Sequence, residues 1–273
     1  MLRDLVSSTL GNVGWNESTG TASRAFEAWK ATDTEIRAFA KLALGWANRG
    51  FDEYWAAAGE TANRNFNPED SSGYEQADAF HHAVDGLWPD EFEWIVRGTV
   101  IREAVTFFEV YLEQAGQEAL DRYWWTDKAG QKHRMRLHTE GAQRSPGWST
   151  LVRFHKELGN NVETDRVRFV RDLRHLLTHQ RGELRTEEQR VRFADDHVVA
   201  YAKDPSKHAD IWDEASVGGQ VQLRHERVMA ILDDLGAVVR AADPVIWSIR
   251  WDTGALPDVD TLKSHKLIDM IPV

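Results

Sequence analysis

Apolar residues recur at helical spacing along most of the chain. From residue 25 to 47 they are separated by steps of three, four or seven, as at Ala25, Trp29, Ile36, Phe39, Ala40, Ala43, Leu44 and Ala47. The polar pair Thr32-Asp33 predicts a break at which a second helix is capped, and Asn48-Arg49-Gly50 predicts the end of this helical pair. Short helices are predicted over 52–59 and 74–84.

The longest helical pattern begins at Pro89-Asp90-Glu91, where proline and early acids favour a helix N-terminus. It continues to Ala115, just before Gly116, and predicts a central helix. Further helices are predicted over four ranges, namely 149–158, 164–181, 186–201 and 220–242. Pro244 is predicted to end the last of these, with an irregular tail up to Val273.

One segment departs from the helical pattern. Residues 123–126 (Tyr-Trp-Trp-Thr) favour a strand, 127–130 favour a turn, and Met135 and Leu137 alternate with arginines. A β-hairpin is therefore predicted within about 122–138.

The predicted fold class is all-α, a helical bundle with a small β-hairpin insertion and an additional N-terminal helical region. We predict an N-terminal helical region over 1–90, a helical domain over 91–245, and a C-terminal tail over 246–273.

Composition narrows the chemistry that the chain can perform. Apolar residues make up 42% and charged residues 28%, which is typical of a globular protein. The chain has no cysteine, which excludes disulfides, thiolate zinc sites and a cysteine nucleophile. Because we find neither a secretory signal pattern nor an apolar run of about 18 residues, we expect a cytoplasmic protein without a membrane partner.

The net charge of −11 argues against a protein that binds nucleic acid over its whole surface, but the charge is unevenly distributed. From Lys128 to Arg192 there are fifteen Lys and Arg against eight Asp and Glu. That segment carries +7 and the rest of the chain −18. Two explanations remain open, a polyanion-binding face or an ordinary solvated one.

The helix predicted over 164–181 is amphipathic. Its apolar stripe consists of Phe169, Val170, Leu173, Leu176 and Leu177. Its opposite arc carries Arg168, Arg171, Arg174, His175, Thr178 and His179. Because like charges at this spacing repel one another, we expect a ligand, an acidic partner or another subunit to face them.

The run Arg174-His175-Leu176-Leu177-Thr178-His179 has the form Arg, polar residue, three residues, His. Four Arg–His pairs have a similar spacing, namely Arg168/His175, Arg174/His179, Arg190/His197 and Arg192/His197. Arg174/His179 is favoured because it lies on the polar face of a strong helix, precedes Gly182, and is flanked by long helices. In this respect the chain resembles the HEPN superfamily, which contains many metal-independent endoribonucleases.

The resemblance covers about 91–244 and implies a site and an activity. His179 would be the general base or acid, Arg174 the phosphate clamp, and His175 would orient phosphate or share the proton transfer. Substrate phosphates would also meet Arg168, Arg171 and Arg181, and Glu109 could orient an imidazole or be a surface acid. The implied activity is cleavage of RNA by its own 2′-hydroxyl to a cyclic phosphate, with no cofactor. Family members pair as homodimers and act as toxins or defence effectors, so an antitoxin or regulatory protein is a further expected partner.

The residue types suit this chemistry on general grounds. Histidine can accept and donate protons near neutral pH, and arginine binds phosphate through a bidentate fork.

Other functions stay open. The same basic face could belong to a non-catalytic helical module that binds a nucleotide, RNA or an acidic protein, or the chain could be purely structural. His175 and His179 could instead hold a metal with Asp172 or Glu183 as a third ligand. Trp124-Trp125, followed by Lys128, Lys132, Arg134 and Arg136, could form a single-strand binding platform or could cover a core edge.

Overall fold

A computed structural model describes residues 22–69, 72–141, 145–193, 219–252 and 254–273. These residues form eight helices and three strands. The helices are α1 (Arg24–Asn65), α2 (Glu75–Ala83), α3 (Pro89–Leu120), α4 (Trp148–Glu157), α5 (Asp165–His179), α6 (Glu187–Phe193), α7 (His225–Trp251) and α8 (Val259–Ser264). The strands are β1 (Trp124–Thr126), β2 (Lys132–Leu137) and β3 (Ile268–Pro272). The predicted mainly helical class is confirmed, and the described helices contain no stretch long and apolar enough to cross a bilayer.

The chain divides into two compact units. Of the described residues, the first unit contains those within 22–29, 110–162 and 238–273, and the second contains those within 30–109 and 163–237. Helices α1, α3 and α7 contribute residues to both units. The domain boundaries predicted at 90 and 245 do not coincide with this division and stay predictions.

The predicted breaks in the N-terminal helical region are wrong, because α1 is one helix of 42 residues. Asp33 does not cap a second helix. Its carboxylate is buried and accepts a hydrogen bond from Arg37 Nε, one turn further along the same helix, at 2.8 Å. An aspartate paired with an arginine one turn away is compatible with a helix interior. Gly50, predicted to end the helical pair, also lies inside α1.

The C-terminal predictions also need correction. Pro244 lies inside α7, which continues to Trp251 because Ile246 and Ile249 on its following turns are buried in the core. The tail is not irregular, since it forms α8 and β3. The segment predicted as 186–201 is helical from Glu187 to Phe193, and its remainder, including His197, lies outside the described residues.

The predicted hairpin is part of a three-stranded antiparallel sheet in the order β1-β2-β3. Trp124 lies opposite Arg134 in β1 and β2, and Arg134 lies opposite Ile271 in β3. Met135 and Leu137 are buried while the intervening arginines are exposed, so one face of the sheet covers the core of the first unit and the other faces solvent.

Two buried polar groups stabilise the first unit. Glu118 accepts hydrogen bonds from the backbone N–H groups of Arg24 and Ala25, at 3.1 Å each, and thereby satisfies donors at the start of α1. His155 is fully buried, and its Nε2 donates to the carbonyl oxygen of Leu112 at 2.9 Å. Burial lowers the pKa of His155 to about 4.

Candidate functional site

Helix α5 carries the predicted site and has the predicted amphipathic character. The side chain of Thr164 caps it by accepting a hydrogen bond from the backbone N–H of Val167 at 3.2 Å. The buried stripe consists of Val167, Val170, Leu173, Leu176 and Leu177. Phe169, predicted in this stripe, is half-buried at its edge and packs against Phe193 of α6, with ring centroids 5.5 Å apart.

Two arginines of the polar face are paired with carboxylates. Arg168 forms ion pairs with Asp165 and Glu163 on the first turn of α5 and just before it. Arg171 Nε lies 3.3 Å from Oε1 of Glu109 on α3. The assignment of both arginines to substrate phosphates stays a prediction, and a phosphate would have to compete with these carboxylates.

Arg174 differs from these two arginines. Its side chain is half-buried, and its Nε is buried without a hydrogen-bond partner. Within the described part of the chain no carboxylate forms an ion pair with it. A guanidinium whose charge is not compensated by a neighbouring acid is available to an anionic ligand.

His175 and His179 lie side by side on the exposed face, one helical turn apart. Their ring centroids are 4.5 Å apart and the ring planes are inclined by 46°. Both residues are exposed. Two imidazoles and one guanidinium without a carboxylate partner among the described residues therefore lie within about one and a half turns at the C-terminal end of α5.

Ion pairs connect the polar face of α5 to helices α3 and α6. Arg171 contacts Glu109 of α3, and Asp172 contacts Arg192 of α6. Glu109, expected either to orient an imidazole or to be a surface acid, contacts Arg171, and its role toward an imidazole stays a prediction. Sequence reasoning missed the pair between Asp172 and Arg192, because helical spacing carries no information about contacts between separate helices.

Arg181 lies beyond the helix, in a turn that depends on glycine. Arg181 and Gly182 both have left-handed backbone angles, with φ of +53° and +78°. The N–H of Gly182 donates to the carbonyl of Leu176 at 3.1 Å, and its own carbonyl accepts from Val221 N at 2.8 Å. A Cβ at Gly182 would lie 2.6 Å from the indole ring of Trp94 in α3, so only glycine fits this position.

We expect Gly182→Ala to lower the free energy of unfolding by about 2 to 4 kcal/mol, the sum of a left-handed backbone penalty and a clash with Trp94. Urea denaturation followed by tryptophan fluorescence measures this loss. Gly159→Ala is the matched control, because Gly159 also has a left-handed φ of +85° but nothing lies within 4 Å of its Cβ position. Equal losses in the two variants would show that the close approach to Trp94 has no energetic consequence.

The two acids considered as the third ligand of a metal at the two histidines both contact arginines. Asp172 is engaged by Arg192, and Glu183 lies 2.8 Å from Arg185. Among the described residues no group of three or more His, Asp or Glu side chains is placed to hold a metal ion.

Ion pairs compensate about half of the cations of the basic segment. Seven of its arginines have carboxylate partners, namely Arg136, Arg166, Arg168, Arg171, Arg185, Arg190 and Arg192. Other cations of the segment, Arg174 among them, have no such partner among the described residues.

Comparisons with known proteins bring no match: no family model, no curated protein and no solved structure is similar to this chain. A function must therefore be argued from the site itself.

Proposed function

We propose that this protein is a metal-independent endoribonuclease that cleaves RNA at the exposed face of α5. One observation carries the proposal: His175 and His179 lie side by side at the end of α5 that also carries Arg174, which has no carboxylate partner among the described residues. The HEPN-like form of the same residues in the sequence supports it.

The reaction needs two imidazoles and a guanidinium, which are the kinds of group that α5 carries. A neutral imidazole accepts the proton of the ribose 2′-hydroxyl, and the oxygen attacks the adjacent phosphorus. A protonated imidazole donates to the departing 5′-oxygen as the P–O5′ bond breaks. Arg174 stabilises the negative charge that develops on the phosphorane. The products are a 2′,3′-cyclic phosphate and a 5′-hydroxyl.

The closeness of the two imidazoles favours a second copy of the chain in the active species. In an in-line displacement the entering and departing oxygens lie on opposite sides of the phosphorus. Two rings with centroids 4.5 Å apart on one helix face approach the phosphate from the same side. A two-fold homodimer that brings two α5 helices together would supply an imidazole from each side.

The test is incubation of the purified protein with single-stranded RNA in the presence of EDTA. We expect fragments with cyclic-phosphate ends, identified by mass spectrometry, and a homodimer by sedimentation. Intact RNA under these conditions would overturn the proposal. Salt-dependent RNA binding without turnover would identify the alternative, a non-catalytic binding module.

A further inference from the structure

The solvent-facing side of the three-stranded sheet carries an aromatic and basic surface that the α5 site does not use. Because side chains alternate along a strand, Lys132, Arg134 and Arg136 of β2 point to the same side, about 7 Å from one to the next. The pairing register adds Trp124 and Ile271 on either side of Arg134. We call this set, with Lys128 of the adjoining turn, the sheet face.

Trp124 is the feature of the sheet face that packing does not explain. Its neighbour Trp125 points the other way, where Lys263 Nζ lies 4.0 Å from its ring centroid and His133 packs at 5.4 Å. Trp124 remains 48% exposed. The guanidinium of Arg134 lies 5.0 Å from its ring centroid, a cation–π contact that holds a flat indole and a positive charge side by side.

The charge of the sheet face is positive and largely uncompensated. Among the described residues no carboxylate pairs with Lys128, Lys132 or Arg134. Arg136 shares Asp269 with His138, at 3.4 Å and 2.8 Å. Asp127, which begins the turn between β1 and β2, accepts hydrogen bonds from backbone N–H groups of this turn and contacts His133, and both lower its pKa.

We propose that the sheet face binds single-stranded nucleic acid, with a base stacked on Trp124 and the backbone phosphates on Lys128, Lys132 and Arg134. A single strand offers a planar base and a phosphate at every nucleotide, which matches an indole beside a row of cations. A duplex keeps its bases inside the stack and could use only the cations. An acidic peptide or an anionic membrane would use the cations but has no planar group for the indole. This binding surface does not rest on the cleavage proposed for α5.

The test measures binding to a fluorescein-labelled oligothymidylate by fluorescence anisotropy. DNA lacks the 2′-hydroxyl, so cleavage of the proposed type cannot disturb the measurement. We expect Trp124→Ala to weaken binding about tenfold and Trp124→Phe to weaken it less, because base–aromatic stacking carries part of the affinity. We expect Lys132→Ala and Arg134→Ala each to lower the slope of log affinity against log salt by about 0.7.

Trp46→Ala is the matched control, because Trp46 is 61% exposed but lies in α1 and not in the sheet. Equal affinities of Trp124→Ala, Trp46→Ala and the wild-type protein would overturn the proposal. So would equal binding of polyglutamate or of phosphatidylserine vesicles, which carry charge without bases. If circular dichroism shows that Trp124→Ala has lost its sheet, the decision passes to Lys128→Glu and Lys132→Glu, because both of these side chains are exposed. Unchanged affinity in these two variants would also overturn the proposal.

Cleavage and binding can fail separately. Binding without any RNA cleavage would refute the proposed activity of α5 and leave the sheet face supported. RNA cleavage together with unchanged binding in the Trp124 and Lys132 variants would refute the sheet face alone.

Discussion

Replacing His179 with alanine should lower the rate of RNA cleavage by about 10² to 10⁴-fold, because the variant loses a group that transfers a proton in the transition state. Arg174→Ala should lower it by about 10² to 10³-fold through lost stabilisation of the phosphorane. Arg174→Lys should recover little of this rate, since a lysine lacks the bidentate fork. Single-turnover cleavage of a labelled RNA in the presence of EDTA measures the rates of all three variants.

Two matched variants control for general damage to the protein. His82→Ala removes an exposed histidine from α2, and Arg185→Ala removes an exposed arginine that is ion-paired with Glu183. Both should cleave at the wild-type rate. Losses as large in these variants as in His179→Ala would contradict the assignment of the site to α5.

Acidification from pH 7 to about pH 4 should destabilise the protein through His155. In the folded state burial holds the pKa of this imidazole at about 4, against 6.5 for an unperturbed histidine. Its contribution to stability is fully present above pH 6.5. Below that pH the unfolded chain takes up a proton that the folded chain excludes, and about 3 kcal/mol of the free energy of unfolding is lost by pH 4.

Urea denaturation at several pH values, followed by tryptophan fluorescence, measures this loss, and His155→Gln isolates it. Glutamine keeps a donor for the Leu112 carbonyl but does not titrate, so the variant should be about 3 kcal/mol less sensitive to the same change of pH. Exposed His82 is the control, and His82→Gln should retain the wild-type dependence. Identical pH dependence of the two variants would contradict the role given to His155.

Local periodicity was sufficient to predict much of the fold. The amphipathic character of α5, the start of α3 at Pro89 and the pairing of β1 with β2 follow from residues close in sequence. The continuous α1 could not be predicted in this way. Asp33 is buried and pairs with Arg37, whose guanidinium also contacts Asp233 of α7, nearly two hundred residues away. These contacts outweigh the preference of Asp33 for a cap.

The candidate site, too, could be predicted only in part from the sequence. Sequence indicated the face of α5 that carries Arg174, His175 and His179, because the angular order of side chains on a helix depends only on their spacing. It could not distinguish Arg174 from Arg171, since the acid that pairs with Arg171 comes from α3, more than fifty residues earlier. For the same reason β3 was not predicted, because it pairs with a strand more than one hundred residues earlier in the chain, β2.

By itself, the sequence determined the residue types available for chemistry, the exclusion of cysteine, the mainly helical class and the polar face of α5. Tertiary structure alone decided which cations keep their charge free for an anion, because ion pairs form between side chains that folding brings together. It pairs seven arginines of the basic segment with carboxylates and leaves other described cations without such a partner, among them Arg174 on α5 and Lys132 and Arg134 on the sheet face.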